Sequence, residues 1–454
     1  MSIINLITLS LLSSCYSWLF FRNIRKYGPT FSSGIMLGVL FLLLFPLWIA
    51  ALTGTLTLDL EAITWTNIPI LEWNRGAETI FWMFLPIISI IPYILLTPKG
   101  SATLDPKSEQ DTLSCRSWLI IYIASEFFLF SASGLISGSE HWYRAKSDFF
   151  NQYGQSAVLI TFVVSALRII IIARIMSEYL SGKLSTYSML GICALISLIT
   201  LYSTGNRVYL LFISGAILIS LIIKRHYLAI LIGIIFSVPF GLVMSVFKWI
   251  RAYMHIYPDF SISGILTGIN SGIDFALRQM VIEGFDQRAF FQGITESVSV
   301  NVYYGIVQNY GITTPFLWGE TLAKIFVFWI PRSFWESKPE TITVVIAQFM
   351  APSVPTLSLV TTIFGEFYVN FGLISLLILP ISLYCIDRTL SRTLPNGLTH
   401  NYIMFISGFA IIRFPVADFI IYVIIAAFIL WMNRKFSRFI SSRKNDIKPE
   451  PEDA

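Results

Sequence analysis

The chain has 454 residues, of which 55% are hydrophobic and 13% charged, with a net charge of +5. An ordinary soluble domain carries roughly 25% charged residues, so too few polar side chains are present to coat a molecule of this length, and a soluble fold is excluded. The small positive excess is no nucleic-acid signature, because the basic residues sit beside apolar runs, where they orient a protein in a membrane.

A bilayer's hydrocarbon core asks about 20 apolar residues of each crossing helix. In chain order, apolar runs predict helices at 2–21, 31–52, 79–96, 118–136, 157–176, 187–202, 208–223 and 227–247, then at 359–385, 398–412 and 416–431. The first run has no basic residue ahead of it, and Arg22, Arg25 and Lys26 follow it. That order suits a first helix with its N-terminus outside and not a cleaved leader. The expected fold class is therefore all-α: a polytopic helical integral membrane protein with about eleven transmembrane helices and one large periplasmic loop.

Lys and Arg in the short connections set the orientation. Arg22, Arg25, Lys26, Lys99, Lys107, Arg116, Lys183, Lys224, Arg225, Arg388 and Arg392 fall on one side, together with Arg434, Lys435, Arg438, Arg443 and Lys444 of the tail. The alternate connections hold only Arg75, Arg144, Lys146, Arg207 and Arg413. The first side is expected to be cytoplasmic, which leaves the N-terminus periplasmic and the C-terminus cytoplasmic. The organisation then expected is eight helices in 1–247, a large periplasmic loop in 248–358, the C-terminal transmembrane helices in 359–432 and a cytoplasmic tail in 433–454, disordered from Lys444 onward. Within the loop, 272–281 has helical character and 320–329 is amphipathic, suited to lying flat on the membrane. Trp318, Trp329, Phe334 and Trp335 suit the aromatic belt of the membrane interface.

Familiar catalytic signatures are absent: there is no GxSxG, HExxH or Walker loop. Cys15, Cys115, Cys193 and Cys385 have no metal-ligand spacing, and neither a metal nor another cofactor is expected. What remains is a set of charges at the outer boundary: Arg207 in the turn Thr204-Gly205-Asn206-Arg207, the stretch from Pro331 through Arg332 and Trp335 to Lys338 and Pro339, Glu366, and Arg413 with Asp418. Charges at such depth are costly and are functional candidates by default. Plainer roles stay open for each. Arg207 and Arg413 suit snorkelling anchors, Arg332 and Lys338 suit lipid headgroups, Glu366 suits a helix N-terminus, and Asp418 suits pairing with Arg413. His141 and His255 are external histidines without an evident partner. Arg168 and Arg174 suit structural pairing with Glu178.

At these motifs the sequence resembles the Wzy-type polymerases of O-antigen and related oligosaccharide repeat units. Five features carry the resemblance: the basic run Phe21-Arg22-Asn23-Ile24-Arg25-Lys26 after the first helix; the Gly205-Asn206-Arg207 turn; Ile330-Pro331-Arg332-Ser333-Phe334-Trp335, running on to Lys338-Pro339; Gly365-Glu366-Phe367-Tyr368-Val369-Asn370-Phe371-Gly372; and Arg413 between the last helices. The resemblance implies a metal-independent glycosyltransferase of the bacterial inner membrane. Its partners would be undecaprenyl-diphosphate-linked oligosaccharides, membrane lipids and a chain-length regulator protein. A glycan leaves undecaprenyl diphosphate for the non-reducing end of another lipid-linked repeat unit at the periplasmic face. Arginine forks suit the departing diphosphate, a role that falls to Arg207, Arg332 and Arg413, with Lys338 as a further cation for substrate. A general base suits the acceptor hydroxyl, a role that falls to Glu366, with His255 and Asp418 behind it. An O-antigen ligase shares the same plan with a different acceptor. A lipid-linked oligosaccharide transporter is the reading from a different class, though the polar candidates gather at one face and not at the midplane where transporters hold substrate.

Overall fold

The structure, a computed structural model, describes residues 1–56, 67–96, 114–132, 149, 152–204, 208–233, 235, 262–283, 295, 297–330, 334–353, 358–394 and 397–446. Helix α1 (Ser2–Tyr27) runs on through the basic cluster expected to follow it. Arg25 and Lys26 in its last turn complement the negative end of the helix dipole, and Gly28, with φ 72°, ends it. Helix α2 (Phe31–Val39) starts at a reciprocal capping box in which Thr30 and Ser33 bond each other's main chain. It widens into a π turn over Leu40–Leu44 and continues as α3 (Phe45–Thr53). The widened turn stands just before Pro46, whose missing N–H interrupts the ladder. A two-residue hairpin, β1 (Thr55–Leu56) with β2 (Leu71–Glu72), pairs Thr55 with Glu72 and Leu56 with Leu71.

The run expected at 79–96 is two helices, α4 (Ala77–Ser89) and α5 (Ile91–Leu96), with Pro86 inside the first. Then come α6 (Cys115–Ala132), α7 (Gln155–Leu180), α8 (Thr186–Thr204) and α9 (Val208–Ile223). The run expected at 227–247 lies mostly outside the described residues. Helices α10 (Ile262–Glu283), α11 (Ser297–Asn309), α12 (Glu320–Val327) and α13 (Ile342–Met350) occupy the stretch expected to be a loop. The run expected at 359–385 starts later, as α14 (Ile363–Phe371) capped by the Thr362 hydroxyl. It breaks at Gly372, with φ 55°, and resumes as α15 (Ser375–Thr393). Helix α16 (Leu398–Ala410) precedes α17 (Val416–Asp446). The boundary expected at residue 432 is crossed without a break: α17 carries its helix on to Asp446, through residues expected to begin a tail. Arg434, Lys435 and Arg438 belong to this helix, since Lys and Arg are good helix formers once a hydrophobic segment has nucleated it.

The centre is a close crossing of α2 and α16. Every residue of α2 is buried, as is α16 from Leu398 to Ala410 apart from His400. A Cβ on Gly34 would fall on the Phe405 carbonyl, one on Gly408 on the Phe31 carbonyl, and one on Gly38 within 2.7 Å of Ile412 Cγ1. The backbones touch at Gly34 and Gly408 because these positions have no side chain, and Gly38 makes room for the Ile412 side chain. In lipid the apolar drive between helices is lost, and such close packing holds them together instead. Around this pair stand α1, α7, α9 and α17. Asn5 Nδ2 donates to the Ala77 carbonyl (2.6 Å) and Tyr16 Oη to that of Ile87 (2.7 Å), which ties α1 to α4.

Outside the core the distribution is the reverse of a soluble protein's. Large apolar side chains face outward on α1 (Ile3, Leu11, Trp18), α6 (Ile120, Phe127), α8 (Leu198), α15 (Leu377, Ile381) and α17 (Phe428, Trp431), whereas Glu126, Arg168, Glu366 and Asp387 are buried. Such an apolar exterior needs a lipid solvent. Among the described residues six helices are long and apolar enough to cross a membrane: α1, α2 with α3, α4 with α5, α7, α14 with α15, and α17. Two shorter apolar helices, Thr186–Thr200 within α8 and the whole of α9, accompany them. The protein is an all-α membrane protein.

At one end, α11, α13 and α14 enclose a second small core of Ile68, Val302, Ile306, Tyr310, Ile342, Ile346, Met350 and Val369. Asn301 fixes the hairpin to it: its Oδ1 accepts from Leu71 N (2.7 Å) and its Nδ2 donates to Leu56 O (2.9 Å). Helices α11 and α13 of the stretch expected to be a loop thus pack against α14 and the hairpin. Burial there pushes the Tyr310 phenol up to about 12, so it stays neutral against the Phe349 ring.

The crossing makes a direct prediction. Gly34→Val and Gly408→Val should each cost about 3 kcal/mol or more, since the obstacle is backbone that cannot repack. Gly191→Ala, with nothing near its Cβ, should leave stability unchanged. Thermal unfolding of the detergent-solubilised variants separates the two outcomes.

Candidate functional site

The site forms where α14, α12 and the start of α17 meet. Glu366 lies in the first turn of α14, 1% exposed. Its Oε2 accepts from the Val416 backbone N–H at 2.8 Å. Val416 opens α17, where main-chain N–H groups have no partner within the helix. The carboxylate therefore sits at the positive end of another helix's dipole, and the dipole role open to Glu366 is directed at α17 besides its own helix. Glu366 Oε1 is sealed from solvent and meets no donor at hydrogen-bonding geometry. The Thr321 hydroxyl, which accepts from Asn370, stands beside it.

One turn further along α14, Asn370 uses both ends of its amide. Its Nδ2 donates to Thr321 Oγ1 (2.8 Å) and Glu366 O (2.8 Å), and its Oδ1 accepts from Gly319 N (3.0 Å). Main-chain bonds from Leu317 N to Val369 O and from Trp318 N to Asn370 O, both 3.0 Å, add a short ladder. Together they hold the turn 317–319, where Trp318 and Gly319 both have positive φ (50° and 89°), a conformation that a bulky residue such as Trp rarely adopts. This turn starts α12 and sets its direction. At the end of α14 the Phe316 ring lies over Gly372, where a Cβ would come within 2.6 Å of Phe316 Cζ.

Helix α12 thereby carries Lys324 to the first turn of α17. Lys324 Nζ stands 3.8 Å from Asp418 Oδ1, with about a fifth of each side chain exposed (21% and 22%). Asp418 pairs with Lys324, from the segment between the two groups of helices. Arg413 lies in the tight turn 411–414 between α16 and α17, partly exposed, with its N–H on the Ala410 carbonyl (2.9 Å). Next to it Phe414 packs on Tyr209 and Phe212 at the start of α9, with ring centroids 6.1 and 5.8 Å away.

The structure thus brings Glu366, Asp418 and the Arg413 turn to one end of α17. Lys338 is elsewhere, 7% exposed, with Nζ donating to the Phe328 and Ile330 carbonyls at 2.8 Å each. Its ammonium closes the turn after α12. Arg207, Arg332, His141 and His255 lie outside the described residues. Thr321 and Lys324 escaped sequence analysis. The signal that marks them is the amphipathic pattern of 320–329, which places both on one helix face at i and i+3.

A second charged group lies deep between α6 and α7. Arg168 Nε is 2.6 Å from Glu126 Oε1, both side chains are 2% exposed, and the guanidinium stands 5.1 Å from the Tyr209 ring centroid. Arg168 therefore pairs with Glu126 and not with Glu178. Arg174 does pair with Glu178, at 3.4 Å, and Glu178 also accepts from Cys115 N (3.0 Å) at the start of α6. These pairs join helices.

Among the described residues no group of three or more His, Cys, Asp or Glu side chains has the arrangement to hold a metal ion. Compared with known proteins, the chain matches no family model, no curated protein and no solved structure.

Glu366→Ala should lose about 1–3 kcal/mol of stability, because it leaves the Val416 N–H buried without an acceptor. Glu366→Gln retains an acceptor oxygen and should melt close to the parent. Asn370→Ala should free the turn 317–319 and expose the chain around α12 to protease, which limited proteolysis with mass-mapped cleavage sites would detect.

Proposed function

We propose that the protein is an oligosaccharide repeat unit polymerase of the O-antigen type. It transfers a glycan from undecaprenyl diphosphate to the non-reducing end of another lipid-linked repeat unit. The observation that carries this assignment is the gathering of Glu366, Asp418, Lys324 and the Arg413 turn around the start of the last helix, at one end of the bundle. The chemistry of such a transfer has two needs. Negative charge grows on the departing diphosphate, and cations aimed at it stabilise the transition state. The acceptor hydroxyl is a weak acid, and a positioned base accelerates its attack by about 10²–10⁴-fold. Arg207, Arg332 and Arg413 are assigned to the diphosphate, and a carboxylate of the cluster, Glu366 foremost from the sequence, to the acceptor, while Lys338, expected as a further cation for substrate, is bound to the Phe328 and Ile330 carbonyls. With cations of this kind the reaction needs no metal.

The same assignment places the chain in a bacterial inner membrane, with about eleven crossings and residues 248–358 on the periplasmic side. The N-terminus is periplasmic and the C-terminus cytoplasmic, and a chain-length regulator protein is a partner. The Lys and Arg asymmetry of the short connections supports this orientation.

Two experiments test it. Deleting the gene should leave single repeat units on the surface polysaccharide and remove the long ladder on a gel, and an unchanged ladder in a strain without a second polymerase would refute the assignment. A topology reporter joined after Lys224 or at the C-terminus should register as cytoplasmic, and one at Asn309 as periplasmic. A cytoplasmic signal at Asn309 would move the whole cluster to the wrong face for lipid-linked repeats.

A further inference from the structure

The two carboxylates at the start of α17 differ in what they can reach. A general base must come within hydrogen-bonding distance of the proton it removes, about 2.6–3.2 Å between heavy atoms. Glu366 is 1% exposed and is committed to the Val416 N–H through one oxygen. Its second oxygen is closed off from solvent, with Thr321 of α12 beside it. An acceptor sugar meets that carboxylate only if α12 leaves, and Asn370 holds the start of α12 through Thr321 and Gly319.

Asp418 is placed differently. It stands in the first turn of α17 with 22% of its side chain exposed, and its ion pair with Lys324 Nζ is a loose one, at 3.8 Å. A tight ammonium–carboxylate hydrogen bond is about 2.7–2.9 Å long, so the pair holds Asp418 in place while leaving its oxygens able to accept from a hydroxyl. The buried Glu366 oxygen beside the Thr321 hydroxyl lies in the field of the same two groups. Of the two carboxylates only Asp418 keeps part of its side chain exposed. We propose that Asp418 is the base that takes the proton of the acceptor hydroxyl, that Lys324 orients it, and that Glu366 anchors the helix end that carries it.

This inference rests on the polymerase assignment and adds a division of labour to it. In the transfer step the acceptor oxygen forms a bond to the anomeric carbon of the donor glycan. The bond from that carbon to the diphosphate oxygen breaks, and its electron pair leaves with the lipid diphosphate. The hydroxyl proton goes to an Asp418 carboxylate oxygen and then to solvent through the exposed side of the residue. Lys324 is a positioning residue, since it acts through Asp418, and Glu366 is a positioning residue one step further removed.

The test uses the full-length protein in nanodiscs, supplied with undecaprenyl-diphosphate-linked repeat units extracted from its own host lacking this gene. Asp418→Asn should slow chain extension by about 100-fold or more while retaining the labelled lipid-linked donor as well as the parent does. Asp418→Ala should be equally slow and should recover part of its rate when formate is added, because a small carboxylate in the vacated space can take the proton. Formate rescue does not repair a structural defect. Asp418→Glu, which keeps the carboxylate, should retain intermediate activity and provides the comparison if the Asn variant fails to accumulate. Lys324→Gln should lower the rate with donor retention unchanged, and Glu366→Gln, which keeps an acceptor for the Val416 N–H, should slow extension far less than Asp418→Asn does. A near-normal Asp418→Asn enzyme, an Asp418→Ala enzyme that formate does not rescue, or a Glu366→Gln enzyme that binds donor and extends nothing would overturn the assignment to Asp418. A parent protein that leaves the donor unextended would overturn the polymerase assignment and this one with it.

Discussion

The arrangement of the molecule depends on how near α2 and α16 can approach each other. Gly34 on one helix and Gly408 on the other let main chain meet main chain. In a lipid solvent, where apolar surfaces gain nothing by hiding from each other, this contact supplies dispersion that bulkier residues would forfeit. The site lies downstream of the crossing. Helix α16 leads into the turn 411–414, and the Ile412 carbonyl accepts from Ile363 N (3.1 Å) at the start of α14. The Glu366 carboxylate reaches Val416 because those chain ends are registered by the crossing. A side chain inserted between the helices would shift that register before it touched any charged residue.

The charges inside the bundle divide by how they are satisfied. Glu126 and Arg168 form a closed pair, short and dry, supported by the Tyr209 ring. Removing one partner from such a pair leaves an uncompensated charge in a medium that cannot solvate it, so its evident work is to hold α6 on α7. Glu366 is met by a main-chain donor and a helix dipole in place of a counter-ion. Lys324 and Asp418 are neither short nor dry. Their looseness keeps them available to a third group, and it separates a chemical candidate from a structural one more sharply than charge or depth does.

The segment Gly365–Gly372 shows why a short motif can be dense with requirements. A side chain on Gly365 would meet the Thr361 hydroxyl, Glu366 binds the next helix, Asn370 binds the loop before α12, and Gly372 lies under the Phe316 ring. Each residue answers a different neighbour, and the neighbours come from three separate parts of the chain. The motif is a junction where α12, α14 and α17 are set against one another, and the geometry of Lys324 and Asp418 is its product.

Composition alone determined that the chain is a helical membrane protein, because 13% charged residues cannot coat a soluble surface and long apolar runs have a bilayer to satisfy. Apolar length also located most of the helices within a few residues, and charge at depth singled out Glu366, Arg413 and Asp418. The sequence did not show the break at Gly372 or the helical continuation past residue 432, because a left-handed glycine and a polar extension leave the local hydrophobic pattern almost unchanged. Within the expected loop it showed helical character at 272–281 and 320–329 but not α11 and α13, whose apolar faces are short and find their core only against α14 and the hairpin. The partners were decided by tertiary structure. That Arg168 meets Glu126 and that Lys324 arrives beside Asp418 depend on contacts between residues far apart in the chain, and Lys338 turns inward onto carbonyls eight and ten residues before it. Spacing along a helix encodes which residues share a face, but which face meets which is fixed only when the glycine crossing sets the helices against each other.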